Sequence, residues 1–240
     1  MSDERLIKSA RRVKEHGEVF TPQHIVKLML DQEELKPDLN SLTATFLEPA
    51  AGEGAFLTEI LRRKLRLARK LGNNFTEYEE NALLALSSLY GIELLEDNVE
   101  LLAMNMLSVF YQDYLQVVNQ AGGRENAHVL ESAKIIISAN MAQGDALTQT
   151  TKDGSPIVFS EWQLLSPKRG IRKVQRTEYT LVAIMSGGTP VDDVGKSHGS
   201  EQLDLFGPEE TLGQQLAEQP KYRYVPVRIT DVYKQLMEEV

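Results

Sequence analysis

The chain has 240 residues, of which 25% are charged and 42% hydrophobic, the proportions of a globular protein with a well-filled core. It has no cysteine, which excludes disulfides and thiolate metal sites, and its four histidines (His16, His24, His128, His198) show no ligand spacing, so no metal is expected. The formal net charge of −9 lowers the expectation of a broad DNA-binding face, although local basic patches outweigh totals. No apolar run approaches the roughly 20 residues of a membrane span, and the polar start "MSDERLIKSARRVKEHGE" lacks the apolar centre of a signal peptide. A cytoplasmic protein without membrane contact is expected.

Residues 1–16 read as a basic amphipathic helix, with Leu6, Ile7, Ala10 and Val13 at helical spacing. "TPQHIVKLMLDQEEL" opens a second helix, with Thr21 as N-cap and Pro22 at the first helical position. "ATFLEPAAGEGAFLTEILRRKLRLARKLG" reads as a strand ending near Glu48, a tight glycine turn, and a long helix from about Ala55 to Gly72. "TEYEENALLALSSLY" is a further helix and "YGIEL" a short buried strand. The helix of "LEDNVELLAMNMLSVFYQDYLQVV" is apolar on more than one side, so it is expected to be largely buried. "NAHVLESAKIIIS" is read as helical, and "NMAQGDAL" contains a third strand.

Alternating strands and helices up to about residue 150 indicate an α/β fold, a mainly parallel sheet flanked by helices. Beyond that the chain turns β-rich: "PIVFSEWQLL" and "KVQRTEYTLVAIM" read as a hairpin, or as a strand and a short helix, joined by "SPKRGIR". Residues 186–220 are rich in Gly, Ser, Pro and acids, the composition of a linker. "YRYVPVRITDVYKQLMEEV" returns to ordered patterning as strand then helix. The expected organisation is a domain over 1–185, a flexible linker over 186–220 and a C-terminal strand–helix over 221–240 that rejoins the domain.

In "LEPAAGEGAFL" a strand runs into a turn containing Gly52 and Gly54 and then into a helix. Glycine there permits close approach of the backbone to a ligand, and a helix N-terminus favours an anionic group. The string resembles the "DPACGSGxFL" motif of S-adenosylmethionine-dependent, adenine-specific DNA methyltransferases of restriction-modification systems. Three more segments are similar to that family in order: "GEVFTPQHIVKLML" (17–30), "YGIELLEDNVELLAMNM" (90–106) and "QGDAL" (143–147). The alternative is a Rossmann-like nucleotide binder of another kind. The dinucleotide fingerprint expects its ribose-binding acid roughly 20 residues after the glycines. Here Glu93 lies 39 residues after Gly54, with an extra helix between.

The resemblance implies a Rossmann-like methyltransferase fold that binds S-adenosylmethionine. It implies that Phe20, Thr21 and Pro22 close over the methionine part, while Glu48, Pro49, Ala50, Gly52, Gly54 and Phe56 form the turn. Glu93 would hold the ribose hydroxyls, and Asp145 with Ala146 would lie near the adenine. It also implies DNA as substrate, in a restriction-modification or phage-defence system.

In the family the next strand ends in "NPPY", whose Asn orients the target amine and whose ring stacks on the flipped base. No "NPP" occurs in this chain. "PIVFSEW" stands there instead, which makes Ser160, Glu161 and Trp162 the candidates for that position. Neighbouring strand residues face opposite ways, so Glu161 and Trp162 cannot both face a pocket. The other reading of this strand is an ordinary packed one with Trp162 in the core. A catalytically degenerate, methyltransferase-like binding module is therefore the alternative to an enzyme.

The basic turn offers Lys168, Arg169, Arg172 and Lys173 to DNA phosphates, or simply to solvent. No target-recognition domain fits in the remaining residues, so sequence-specific methylation would require a partner subunit. "QLDLF" (Gln202, Leu203, Leu205, Phe206) resembles the "QL[SD]LF" peptide by which bacterial replication and repair proteins bind the sliding clamp. These apolar residues are read either as that docking peptide or as a segment that packs on this protein's own core.

Overall fold

The computed structural model describes residues 9–16, 19–167, 171–191 and 222–240. The helices α1 (Ala10–His16), α2 (Gln23–Leu30) and α3 (Lys36–Leu39) precede the first strand, β1 (Phe46–Glu48). Then follow α4 (Ala55–Leu71), α5 (Phe75–Ser87), β2 (Leu89–Glu93), α6 (Glu96–Gln120), α7 (Ala127–Asn140) and β3 (Met141–Gln143). The β1, β2 and β3 strands form a parallel sheet in that order, with Phe46 opposite Leu89 and Gly91 opposite Met141. The chain is thus an α/β protein with a parallel sheet and covering helices.

Alternation along β2 sorts the two faces. Gly91 lies under α4 and α6: a Cβ there would come within 2.8 Å of Leu57 and 3.2 Å of Leu102, so the glycine permits the helices to approach. Tyr90 and Ile92 point the other way, into a cluster with Ile157, Phe159 and Leu181. On α4 the fully buried Leu57, Leu61, Leu65 and Ala68 recur every three or four residues, as one packed helix face requires. Each such leucine contributes about 2 kcal/mol of burial. The α5 helix is different. Tyr78 to Ser87 are all buried, because α4 and α7 both pack on it. Its start is fixed by Asn74, whose side chain accepts the Glu77 amide at 3.0 Å.

The β-rich region departs from the expected arrangement. β4 (Val158–Leu164) pairs antiparallel with β5 (Val174–Thr180) as a separate two-stranded sheet, followed by α8 (Leu181–Ser186). β4 does not extend the parallel sheet, and β1 remains its edge strand among the described residues. The reason lies in the side chains: Phe159 stacks edge-on against Tyr90 at 5.5 Å, and the Tyr90 hydroxyl donates to the Ser160 carbonyl at 2.9 Å. These contacts seat the hairpin on the sheet face opposite α4 and α6.

The C-terminal residues form β6 (Tyr222–Tyr224), a 3-10 turn (Ile229–Lys234) and β7 (Met237–Glu239), which pairs antiparallel with β6. The expected terminal helix is therefore a 3-10 turn and a further strand. Ile229 and Val232 belong to the same buried cluster as Trp162 and Val174. At the other end, Pro22 occupies the capping position of α2 and Gln23 begins the helix, one residue later than the sequence suggests. The Pro22 carbonyl accepts the Ile25 and Val26 amides. Of the segment read as a linker, residues 187–191 are held: Gly188 donates to Ala183 at 2.7 Å and Val191 to Glu178 at 2.8 Å. Among the described residues no helix is long and apolar enough to cross a membrane.

Candidate functional site

The site is built where β1 and β2 end. Past Glu48 the β1–β2 ladder continues for one more bond, from the Ala51 amide to the Ile92 carbonyl at 2.8 Å. The chain then turns through Gly52 (φ +55°) and Gly54 (φ +89°), left-handed conformations that glycine adopts without strain. At Gly54 the requirement is also spatial, since a Cβ would meet Leu102 Cδ1 at 2.6 Å. At Gly52 a Cβ would meet nothing within 4 Å, because the turn opens onto a cavity.

That cavity is about 560 Å³ in volume. Phe20, Thr21 and Pro22 form one wall, Glu48, Ala50, Gly52 and Phe56 the turn side. The four segments expected to share a site therefore divide. Two of them, 17–30 and the glycine turn, contribute to the lining of one cavity; Glu93 does not line it but is bonded to the turn by the Gly52 amide, which donates to its Oε2 at 2.8 Å. Glu93 Oε1 accepts from the Leu95 amide at 3.0 Å and from Asn98 Nδ2 at 3.2 Å. Three donors thus fix a carboxylate that is 8% exposed.

Asp145 lies at the end of the neighbouring strand. The Gly144 amide donates to the Glu93 carbonyl at 2.9 Å, which brings the two acid-bearing loops together. Asp145 Oδ1 accepts the Leu147 amide at 2.8 Å, and the half-exposed Asp145 and Ala146 do not line the cavity. Nor do Pro49 and Gly54, whose part is to shape the turn. Glu48 does line it. Burial pushes its carboxyl up from the ordinary carboxylate range, opposed by the Ala50 amide at 3.3 Å.

Sequence reasoning missed the far wall. Asn105, Ser108 and Gln112 of α6 and Arg62 of α4 also line the cavity. The signal was present, since Asn105, Ser108 and Gln112 share one helix face, and Arg62 shares a face with Ala55 and Thr58.

The candidates on β4 are committed elsewhere. Trp162 is 8% exposed and its Nε1 donates to Asn140 Oδ1 at 3.0 Å. The same Asn140 donates through Nδ2 to the carbonyls of Ser87 and Leu89 at 3.1 Å. Over the Trp162 ring lies the Arg176 guanidinium at 5.2 Å, which also lies over Tyr224 at 4.2 Å and pairs with Glu178 at 3.0 Å. Ser160 is buried, its hydroxyl accepting from Arg176 Nε at 2.9 Å, and Glu161 is exposed. None of the three lines the cavity.

Two residues of the basic turn make contacts within the chain. Arg172 donates to Glu80 at 3.0 Å and to Asn81 at 3.2 Å, and Lys173 donates to the Pro226 carbonyl at 3.2 Å. These contacts tie the hairpin to α5 and to the C-terminal segment, and Lys173 remains exposed. Lys168, Arg169 and the peptide Gln202, Leu203, Leu205 and Phe206 lie outside the described residues. No cluster of three or more His, Asp or Glu able to hold a metal ion occurs among the described residues.

Comparison with known proteins gives one match. No curated protein and no solved structure shows significant similarity to the chain. The family model described as "N-6 DNA Methylase" matches residues 4–138, more than half of the chain. The matched region holds the wall segment, the glycine turn, Glu93 and the far wall on α6, and it stops just before β3. With the site's residues inside that region, the chain belongs to the N-6 DNA methylase family.

Proposed function

We propose that this chain is the cofactor-binding methylation subunit of an adenine-N6 DNA methyltransferase of restriction-modification or phage-defence type. In this reading it binds S-adenosylmethionine at the β1–α4 turn and acts with a partner subunit. The observation that carries the reading is the convergence of Phe20–Pro22 and the Gly52 turn on one cavity, with Glu93 bonded behind that turn through the Gly52 amide. A buried carboxylate at the end of β2 suits the two hydroxyls of a ribose, and the open turn at Gly52 suits close approach of a ligand. When bound, the cofactor would supply the sulfonium methyl group. Glu93 would orient the ribose, and Asp145 would accept from the adenine amino group.

A second reading is favoured by the β4 residues. With Ser160 and Trp162 tied to Arg176 and Asn140, Glu161 is the one β4 candidate that keeps an exposed acceptor, and it lies outside the cavity. Under that reading the chain binds the cofactor and recruits partners, the sliding clamp among them, without transferring the methyl group itself. Tritium transfer from labelled S-adenosylmethionine to mixed-sequence DNA separates the two. We expect little transfer by the purified chain and robust transfer when the neighbouring gene products are added. Transfer that is absent in both preparations, from a chain that binds the cofactor, supports the second reading. Calorimetry that detects neither S-adenosylmethionine nor S-adenosylhomocysteine on folded protein removes both.

A further inference from the structure

Among the described residues β1 is the edge of the parallel sheet, with β2 as its one partner strand. The Phe46 amide donates to the Ser88 carbonyl at 3.0 Å, so Phe46 and, two residues on, Glu48 turn their backbone groups toward β2. Leu47 lies between them. Its amide and carbonyl point out of the sheet edge, and nothing among the described residues bonds them. Beside that edge runs a groove of about 370 Å³ between β1 and the β4–β5 hairpin. Leu47 and Tyr90 are register partners and share the sheet face that the hairpin covers. With Phe159, Tyr179 and Ile184 they make the groove apolar, and Leu47 and Ile184 are still 42% and 49% exposed. Glu161 is the one charged side chain among the described residues lining it, and no Lys or Arg pairs with it among them. It lies near enough to Tyr90 and Tyr179 that, after burial, its charge raises both phenols above their ordinary value.

We infer that the β1 edge and this groove take an extended strand of a partner protein, one with apolar side chains at alternate positions and a Lys or Arg among them. The backbone of that strand closes on the Leu47 amide and carbonyl, its alternate side chains enter the groove, and its cation pairs with Glu161. Charge selects this occupant over two others. A second copy offers its own edge, "TFLEP", whose one charged residue is Glu48. The apolar peptide of this chain, "QLDLF", carries Asp204 between its leucines and follows Glu201. Neither brings a cation to Glu161, and both bring acids into its surroundings. The surface is separate from the cofactor cavity and does not depend on the cofactor reading.

The test is calorimetry of the full chain, without cofactor, against capped hexapeptides of alternating Val and Thr in which one Val is replaced by Lys or by Glu. Placing the Lys at each Val position in turn covers the registers. The best Lys peptide should bind at micromolar strength, about tenfold or more tighter than its Glu counterpart. Glu161→Lys should reverse that preference, a readout that a lost fold would not give. N-methylation of alternate peptide amides should abolish binding in one phase and spare it in the other, as pairing along a single edge requires. The inference is overturned if no peptide binds, or if binding ignores Glu161→Lys or the methylation phase. It is also overturned if the peptide binds only the chain carrying Leu205→Ala and Phe206→Ala, which makes this chain's own segment the occupant. A dimer in sedimentation that the peptide dissociates overturns it too, in favour of a second copy.

Discussion

The Gly52 amide donates to the Glu93 carboxylate across 2.8 Å, joining two segments 41 residues apart behind the cavity wall that Gly52 helps to form. The bond sets the turn against the end of β2, and it sets the carboxylate in one orientation, since Leu95 and Asn98 hold the other oxygen. Turn and acid are therefore one unit.

Because three donors converge on Glu93, replacing it with glutamine is not conservative. Glutamine brings one acceptor oxygen and a donor NH2, so either Gly52 or the Leu95–Asn98 pair then faces a donor. Glu93→Ala should weaken S-adenosylhomocysteine more than tenfold, about 1.4 kcal/mol, and Glu93→Gln should do nearly as much damage. Isothermal calorimetry on both variants checks this. A glutamine variant with wild-type affinity would mean that neither the charge nor the orientation of Glu93 is used.

The single tryptophan of the chain gives a second handle. Trp162→Phe removes the N–H that satisfies Asn140 Oδ1 inside the core and leaves a buried acceptor unpaired. We expect stability in urea to fall by about 1–3 kcal/mol, with cofactor affinity unchanged, because Trp162 lies outside the cavity. Unchanged stability together with lost methyl transfer would instead make Trp162 a working part of the target site.

How far these features were legible from residues alone depends on how local their causes are. The glycine turn was legible, since its conformation, its strand and its helix lie within a dozen residues. So was α4, whose leucines keep one helical face. The seat of β4 was not: it depends on Tyr90 and Asn140, residues 70 and 22 positions away from their partners on that strand. Arg172 and Lys173 read as a free basic turn because Glu80 and Pro226 are equally remote in sequence. Arg62 was legible only in part: helical spacing puts it on the side of the turn, but the wall it completes with Asn105, Ser108 and Gln112 is remote in sequence.

Lys64 makes the stability of the fold depend on pH. It lies on the buried face of α4 and is fully buried, and its Nζ donates to the Ala44 carbonyl at 2.5 Å and to Ser88 Oγ at 2.8 Å. Burial lowers its pKa from 10.5 to about 8, with Asp38 opposing the shift. Above pH 8 the unfolded chain holds a proton there that the folded chain has lost, so stability rises with pH from about 8 toward 10.5. Below pH 8 both states are charged and the slope vanishes. Urea midpoints at pH 7.5, 8.5 and 9.5 should rise for the wild type, while Lys64→Met should flatten the series whatever its absolute stability. The buried Tyr78, Tyr90, Tyr114 and Tyr224 titrate above their ordinary value of 10.0, so they oppose the trend from about pH 10, where the unfolded tyrosines ionise, beyond the three pH values compared. A wild-type midpoint that stays level between pH 8 and 9.5 would show that Lys64 remains charged in the fold.

The peptide Gln202–Phe206 sets three apolar side chains, Leu203, Leu205 and Phe206, in a segment otherwise rich in glycine, serine, proline and acids. Such residues are retained where something buries them, and two burial sites compete: this protein's own core and an external sliding clamp. Peptide capture by a clamp requires anchors presented on an extended strand, which the spacing of Leu203, Leu205 and Phe206 provides. A synthetic peptide spanning residues 198–210 should bind a bacterial sliding clamp at micromolar strength, and Leu205→Ala with Phe206→Ala should abolish that binding. The same pair of changes in the full chain should leave the melting temperature nearly unchanged, because no contact within the fold is lost. If the double variant instead melts several degrees lower and the peptide does not bind the clamp, the side chains pack on this protein's own core.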